Sequence, residues 1–197
     1  MKTLLHICCA NCALYPITTM RRRGVEVDGL WFNPNIHPLT EYMARLDALK
    51  TLQSAWNLNI HYNNCYGLVD FIRSVAHKEN DRCLYCYTVR LQETAQRARQ
   101  DGYNAFSTTL LYSIYQRYDT IVEVGRLMQV TYDIEFYMED FRKGWKEGIG
   151  MSKALSLYRQ KYCGCIYSEM ERYQKKNPDI IATGGQRLCN GKKSVQR

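Results

Sequence analysis

The sequence lacks the long apolar runs of a membrane protein. None of its apolar stretches approaches the roughly 20 residues that a membrane-spanning helix needs. The apolar run at residues 3–7 is also too short for the core of an export signal. We therefore expect a cytoplasmic protein that does not engage the membrane and whose thiols are reduced at rest.

Glycine is missing where a nucleotide-binding protein needs it. Residues 3–7 are predicted to form a buried strand, and no glycine follows this strand before Gly24. Loops that bind phosphate place glycines directly after the first strand, so that backbone amides can approach the phosphate oxygens. The sequence therefore argues against ATP or dinucleotide binding, and we expect no ATP requirement.

Cysteine, in contrast, is abundant, and the number of cysteines is odd. A 197-residue chain can bury a stable core without disulfide bonds, so the cysteines need another explanation. In a reducing compartment, clustered cysteines more often bind metal or carry out redox chemistry. There are nine of them, at positions 8, 9, 12, 65, 83, 86, 163, 165 and 189.

The charge balance favours a polyanionic partner. Lys and Arg number 27 against 19 Asp and Glu, which gives a net charge of +8. Sixteen tyrosines accompany these cations, and aromatic faces stack on unpaired bases while Lys and Arg bind phosphates. The pattern indicates a nucleic-acid partner, although solvated surface charge is the simpler alternative for any single cluster. The clusters are Arg21–Arg23, Lys175–Lys176, and a tail with Arg187, Lys192, Lys193 and Arg197.

Alternating short apolar runs and helical periodicities predict a three-layer α/β fold with a mainly parallel sheet. Thr40 is the expected N-cap of the predicted helix that follows the second strand. We expect one catalytic domain over 1–177 and a mobile basic tail over 178–197. The predicted strands are 3–7, 25–32, 59–62, 103–111 and 133–138, and the predicted helices are 40–56, 67–77, 83–100, 114–130 and 150–173, the last with a break at 163–165.

The first cysteine group follows the first predicted strand, as Cys8-Cys9-Ala10-Asn11-Cys12. Ligands of open α/β sheets bind at the carboxyl ends of the strands. Two adjacent residues of an extended chain face opposite ways, so Cys8 and Cys9 fit better at a turn that aims both sulfurs at one site. Small buried cysteines that only fill space are the alternative.

The second group, Cys83 and Cys86, has a C-x-x-C spacing at the beginning of a predicted helix. This spacing puts both sulfurs on one helix face, where they can hold one metal centre. It suits a zinc half-site, an iron–sulfur half-site or a dithiol equally. We expect Arg82 and the helix N-terminus to lower the thiol pKa values.

The third group is Cys163-Gly164-Cys165. A disulfide in so small a ring is easily reduced, which favours a redox pair over a cluster ligand. Four thiolates from the first two groups could hold zinc or a cubane cluster, and the third pair favours redox chemistry because a structural zinc site needs no extra thiols. Cys65 and Cys189 have no partner in sequence and are interpreted as incidental thiols.

With these residues assembled, the sequence resembles the cobalamin-independent epoxyqueuosine reductases, formerly a family of unknown function. The resemblance extends from Leu4 to about Met170, and its motifs occur in the right order at 5–10, 32–38 with 41–42, 82–87 with 90–91, 107–111, 158–160 and 163–168. It implies reduction of epoxyqueuosine to queuosine at the wobble position of tRNA with a GUN anticodon, the last step of that modification. It also implies a [4Fe–4S] cluster, an external electron donor, and a fold related to the nucleotide α-hydrolase-like proteins.

The resemblance also implies roles for individual cysteines. The cluster ligands are Cys8, Cys9, Cys83 and Cys86, and the redox-active pair is Cys163 and Cys165. One residue departs from the family motif, because Asn11 stands where proline is usual. We expect this change to loosen the loop and to leave Cys12 free for a second metal ion beside the cluster.

Removal of an epoxide oxygen needs two electrons and a proton donor. A cluster passes one electron at a time and a dithiol stores two, so the two together suit the reaction. The candidate acids are Tyr85, Tyr87, Tyr162 and His37. The rival hypotheses are a tRNA sulfur-transfer enzyme, which would need ATP, and a non-catalytic zinc-binding tRNA module.

Overall fold

A parallel five-stranded sheet lies at the centre of the protein, in the strand order β3-β2-β1-β4-β5. The computed structural model describes residues 1–177, and the predicted basic tail at 178–197, with Cys189, lies outside them. The strands are β1 (Lys2–His6), β2 (Glu26–Trp31), β3 (Ile60–Tyr62), β4 (Ala105–Thr108) and β5 (Glu135–Phe136). The helices are α1 (Ala10–Arg22), α2 (Leu39–Trp56), α3 (Leu68–Val75), α4 (Arg82–Gln100), α5 (Tyr118–Tyr132), α6 (Trp145–Ala154) and α7 (Ile166–Gln174), with 3₁₀ turns at Glu79–Asp81, Thr109–Tyr112 and Phe141–Gly144.

The central strand β1 pairs in parallel with both β2 and β4, so that Leu4 lies beside Asp28 on one side and Phe106 on the other. The chain builds outward from β1 to β3, then crosses to β4 and continues to β5. Right-handed crossovers in opposite directions place α1 and α2 on one face and α4 and α5 on the other. Contacts between α1 and α2 and between α4 and α5 agree with this arrangement. The predicted mainly parallel α/β fold is confirmed.

The change of direction creates a topological switch point between β1 and β4. Ligands of such sheets bind beyond the carboxyl ends of the strands at this point. Cys8 lies two residues beyond the end of β1, and Thr109 directly follows β4. The fold therefore positions the first cysteine group where a binding crevice is expected.

Helix α1 was missing from the predicted elements. Its interior Pro16 removes one backbone donor, and this hides the helical pattern from sequence reasoning. The helix is nevertheless packed into the core, with Leu14, Ile17 and Met20 fully buried. As a result the first cysteine group is only partly a loop, because Cys12 lies in the first helical turn.

Two other predicted features were wrong. Helix α2 begins at Leu39 with Pro38 as its N-cap and without a side-chain cap, because the Pro38 carbonyl already accepts from the amides of Glu41 and Tyr42. Thr40 is therefore not the cap. The predicted helix at 150–173 is two helices, α6 and α7, separated by an irregular segment at 155–165 that is much longer than the expected break. We call residues 155–165 the closing segment.

Among the described residues, no helix combines the length and the apolar character that crossing a membrane needs.

We predict that Gly125→Ala destabilises the protein. A Cβ at Gly125, inside α5, would lie 2.2 Å from Cε1 of Phe136, whose ring packs on Phe106. Overpacking of this kind costs about 1–3 kcal/mol, more than the helix propensity of alanine returns. Gly150→Ala in α6 is the matched control, because a Cβ there meets nothing within 4 Å and alanine should add up to about 1 kcal/mol. Urea unfolding of both variants tests the prediction, and equal stabilities would contradict it.

Candidate functional site

The first cysteine group converges at the switch point. Cys9 is the N-cap of α1, and its sulfur accepts from the amide of Cys12 at 3.4 Å. The sulfurs of Cys8 and Cys9 lie 4.0 Å apart. All three sulfurs lie within 4.8 Å of one another, so this group could hold a metal ion. The turn predicted from the adjacent cysteines is present.

Thr109 joins this group to the end of β4. Its hydroxyl accepts from the amide of Cys8 at 3.0 Å and donates to the Cys8 sulfur at 3.2 Å. Hydrogen bonds from Cys12, Cys9 and Thr109 hold the pKa of the Cys8 thiol well below its usual range, against the effect of burial. The pKa of Cys9 is raised to about 12, because its bond to Cys8 and its burial outweigh the lowering by Cys12. Cys8 is thus the thiol of this group whose surroundings favour ionisation.

The closing segment brings further donors to these sulfurs. The side-chain amide nitrogen of Gln160 lies 3.0 Å from the Cys9 sulfur and 3.8 Å from the Cys12 sulfur. Asn11 donates to the Tyr158 carbonyl at 2.7 Å and to the Gln160 side-chain oxygen at 2.8 Å. The expectation that Asn11 loosens this region was therefore wrong, because its side chain ties α1 to the closing segment.

The second group lies in the first turn of α4, as its spacing predicted. The sulfur of Cys86 accepts from Nη2 of Arg90 at 2.8 Å. Burial raises the pKa of Cys86 to about 12, although Arg90 opposes this. The expected lowering by Arg82 is wrong for Cys86, because the Arg82 guanidinium instead pairs with Glu171. Cys83 is half-buried against the main core.

The third group is divided between two environments. The Cys163 residue is exposed, and its sulfur accepts from the side-chain nitrogen of Gln116 at 3.0 Å. Cys165 is buried in a small apolar cluster with Cys86. Both are free thiols. Gly164 has φ +153°, a conformation that L side chains rarely adopt, and it lets the chain turn between the two cysteines.

A buried arginine fastens this loop. Arg45 of α2 is only 2% exposed and donates to the carbonyls of Cys163 at 2.8 Å and Tyr162 at 3.0 Å. Its Nε donates to Glu41 at 2.7 Å. The second oxygen of Glu41 accepts from the hydroxyl of Tyr158. Arg45 thereby links α2 to both ends of the closing segment.

One cavity of about 620 Å³ lies between the first and third cysteine groups. Cys8, Cys12 and Cys163 line it together with Arg90 and Gln160. The structure therefore brings members of the first and third groups to one space, while Cys83, Cys86 and Cys165 do not line it. Its aromatic lining residues are Tyr112, Tyr115, Trp145 and Tyr162, and its basic lining residues include Arg159, Lys161, Arg172 and Lys175.

Sequence reasoning assigned no role to Arg45, Gln116 or Gln160. Gln160 lies within a recognised motif, but Arg45 and Gln116 carry no sequence signal, because their partners are 118 and 47 residues away. Cys65 lines a separate, smaller cavity of about 160 Å³ beside Cys86.

His37 is a poor candidate acid. It is fully buried, and neither ring nitrogen has a hydrogen-bond partner within residues 1–177. Burial lowers its pKa to about 4. The ring is therefore neutral at physiological pH, and the imidazolium form that would act as an acid is not populated. It packs between Tyr66 and Phe71, and its backbone amide donates to the Gly164 carbonyl at 2.8 Å. Its peptide group therefore supports the closing segment, while its ring does not face the cavity.

We predict that His37→Phe flattens the acid side of the stability profile. Because the folded pKa of about 4 lies below the usual 6.5, the unfolded chain binds a proton in this interval that the folded chain excludes. Stability is thus present above pH 6.5 and is lost as the pH falls toward 4, by about 2–3 kcal/mol. The variant should lose less than the wild type over this range in urea unfolding. His77→Asn, at an exposed position, is the control, and identical profiles for wild type and His37→Phe would contradict the prediction.

Comparison with known proteins identifies the family. Residues 3–171 match the family model described as epoxyqueuosine reductase QueH. Epoxyqueuosine reductase QueH of Dehalococcoides mccartyi is 35% identical over 89% of this chain and 97% of its own length. The protein of the same name from Thermotoga maritima is 35% identical over 87% of this chain and 92% of its own.

A solved structure shares the fold at low sequence identity. It is a predicted subunit of a tRNA methyltransferase from Methanocaldococcus jannaschii, with a TM-score of 0.57, 10% identity, and coverage of 90% of this chain and 88% of that one. At this identity the likeness supports the α/β fold alone. The family match extends over nearly all of the described residues, including the three cysteine groups, and the two relatives each cover more than four fifths of the chain; on that basis the chain belongs to the epoxyqueuosine reductase QueH family.

Proposed function

We propose that this protein is an oxidoreductase that reduces epoxyqueuosine to queuosine at the wobble position of tRNA with a GUN anticodon. The observation that carries the proposal is the family match, together with a single cavity lined by thiols of two cysteine groups. Relatives with 35% identity carry the name of this activity. Both features favour a reductase over a sulfur-transfer enzyme or a non-catalytic zinc module.

The proposed cluster ligands are Cys8, Cys9, Cys83 and Cys86. A buried cation supports an anionic site here, because Arg90 is 2% exposed and pairs with no carboxylate in the part of the chain that the structure describes. The guanidinium of Arg90 donates to the sulfur and to the backbone carbonyl of Cys86. An unpaired buried charge is costly, so thiolates of a [4Fe–4S] cluster would provide the compensating charge. Such a cluster supplies electrons one at a time.

Cys12 is the proposed ligand of a second metal ion beside the cluster. Its sulfur lies within 4.8 Å of those of Cys8 and Cys9, a spacing that suits a single ion.

Cys163 and Cys165 are the proposed redox pair. Reduction of the epoxide to the alkene consumes two electrons and two protons and releases water. Oxidation of two thiols to one disulfide supplies both, so the atoms balance without another reactant. Cys163 lies at the cavity, where Gln116 orients its sulfur, and the turn at Gly164 allows Cys165 to approach. An external electron donor then restores the dithiol.

The proposed RNA contacts are the aromatic and basic residues of the cavity lining. Tyr115 is 79% exposed, and its ring contacts Trp145 at 5.6 Å between centroids. Trp145 in turn packs against Tyr112 at 5.1 Å. An exposed aromatic ring supported from behind offers a platform for an unpaired anticodon base, while the nearby cations suit phosphates.

We predict that the cysteine groups separate by function. Cys83→Ser and Cys86→Ser should remove iron and sulfide from anaerobically purified protein, because a hydroxyl is a poor replacement for a thiolate ligand. Cys163→Ala and Cys165→Ala should retain both and stop turnover of epoxyqueuosine in tRNA. Cys65→Ser is the matched control for loss of one thiol and should retain iron and activity.

The outcomes distinguish the assignments. Unchanged iron in Cys83→Ser and Cys86→Ser would disprove their role as ligands. Loss of iron from Cys163→Ala or Cys165→Ala would make the Cys-Gly-Cys loop a ligand. A colourless wild-type protein that contains zinc alone would disprove the reductase proposal.

We predict that Tyr115→Ala weakens tRNA binding by about 1–3 kcal/mol, the usual value of one base-stacking contact. Tyr115→Phe retains the ring and should bind normally. Val130→Ala is the control for an exposed residue of α5 that does not line the cavity, since Val130 is 80% exposed. Affinity should also fall steeply with salt for all four proteins, because phosphate contacts release counterions. Equal affinities of Tyr115→Ala and Val130→Ala would exclude the platform.

A further inference from the structure

Three residues from distant parts of the chain form a hydrogen-bonded series that ends at the cysteine sulfurs. The hydroxyl of Ser152 in α6 donates to the side-chain oxygen of Asn11. Asn11 donates to the side-chain oxygen of Gln160, and Gln160 donates to the sulfur of Cys9. We call Ser152, Asn11 and Gln160 the amide relay.

The direction of the relay is fixed by one carbonyl. The backbone oxygen of Tyr158 can only accept, so the side chain of Asn11 must present its nitrogen there, at 2.7 Å. The second hydrogen of that nitrogen then points to the oxygen of Gln160 at 2.8 Å. With its oxygen occupied, Gln160 can present only its nitrogen to the sulfurs. Asn11 cannot turn over without loss of its bond to the Tyr158 carbonyl, and Gln160 cannot turn over without facing its nitrogen to that of Asn11.

A fixed N–H donor to the sulfur of a cluster ligand has an electronic consequence. Hydrogen bonds to the sulfurs of an iron–sulfur cluster stabilise its more negative, reduced form and raise its reduction potential. Residues behind the ligands orient such donors and tune the metal centre. Gln160 contacts the sulfur of a proposed ligand, and Asn11 acts only through Gln160.

We propose that the amide relay sets the reduction potential of the cluster, with Gln160 as the donor to Cys9 and Asn11 as the positioning residue. This inference rests on the proposed function, because it requires a cluster at Cys9. It assigns Asn11 a role in the electron chemistry, beyond its tie to the closing segment. A purely structural role would alter stability and leave the potential unchanged.

The test is a double-mutant cycle read by anaerobic redox titration of the cluster signal. Gln160→Met keeps the length of the side chain and removes the donor, and Asn11→Ala leaves Gln160 in place without its orienting bond. We expect Gln160→Met to lower the equilibrium constant for cluster reduction about tenfold, which is about 59 mV for one electron. Asn11→Ala should shift the potential in the same direction by no more than this. The double variant should match Gln160→Met alone, because Asn11 acts through Gln160.

Gln116→Met is the matched control, because Gln116 donates to Cys163 and not to a proposed ligand, and it should leave the cluster potential unchanged. An unchanged potential in Gln160→Met with full iron content would overturn the inference. Additive shifts in the double variant would overturn the role of Asn11. Loss of iron from both single variants would also overturn the inference, because the relay would then be a requirement for cluster assembly. A wild-type protein without iron would fail at the iron count before any titration, which identifies a failure of the proposed function itself.

Discussion

The arrangement of the site depends on the buried guanidinium of Arg45. This one cation, on α2, holds the carbonyls of Tyr162 and Cys163, and its counterion Glu41 accepts from Tyr158 in the same segment. Guanidinium donors have a fixed planar geometry, so the loop is held in direction as well as in distance. Without the cation, the buried carboxylate of Glu41 would keep the hydroxyl of Tyr158 but lose its counterion, which is strongly unfavourable.

Arg90, the second buried arginine, differs from Arg45 in the groups that accept its hydrogen bonds. Arg45 has a carboxylate beside it, whereas Arg90 has sulfur and a carbonyl. The first is therefore neutralised by the protein and serves to fasten the loop. The second leaves a positive charge in the interior, which only an anionic centre can balance. Arg45 thus holds the loop of the site in place, and Arg90 supplies a positive charge within it.

The central part of the fold could be predicted because it depends on local patterns. The strands β1 and β2 lie in segments that are mainly apolar, as expected of a parallel sheet covered on both faces, although β2 also contains Glu26 and Asp28. The end of the first apolar segment placed the first cysteines correctly. Helix α1 escaped notice because Pro16 and the cysteine motif obscure its beginning. The closing segment was mistaken for helix because its conformation is set by Arg45 and Asn11, which are distant in sequence.

The chemistry of the site was predictable to a similar extent. Cysteine spacing identified the three groups, since ligand chemistry is a property of residue type. The raised pKa of Cys86 was not foreseen, because burial outweighs the charge of Arg90 and the helix N-terminus. Likewise, no pattern within α1 indicates that Asn11 reaches Gln160, a partner 149 residues away.

The closing segment also has a consequence for the order in which the protein is made. Gln160 is 151 residues beyond Cys9, and ribosomes add about 5–20 residues per second. For on the order of ten seconds, the nascent chain therefore presents Cys8, Cys9 and Cys12 without Gln160 or the loop that Arg45 fastens. The three thiols are most accessible during this interval, because the segment that later covers them has not yet been made.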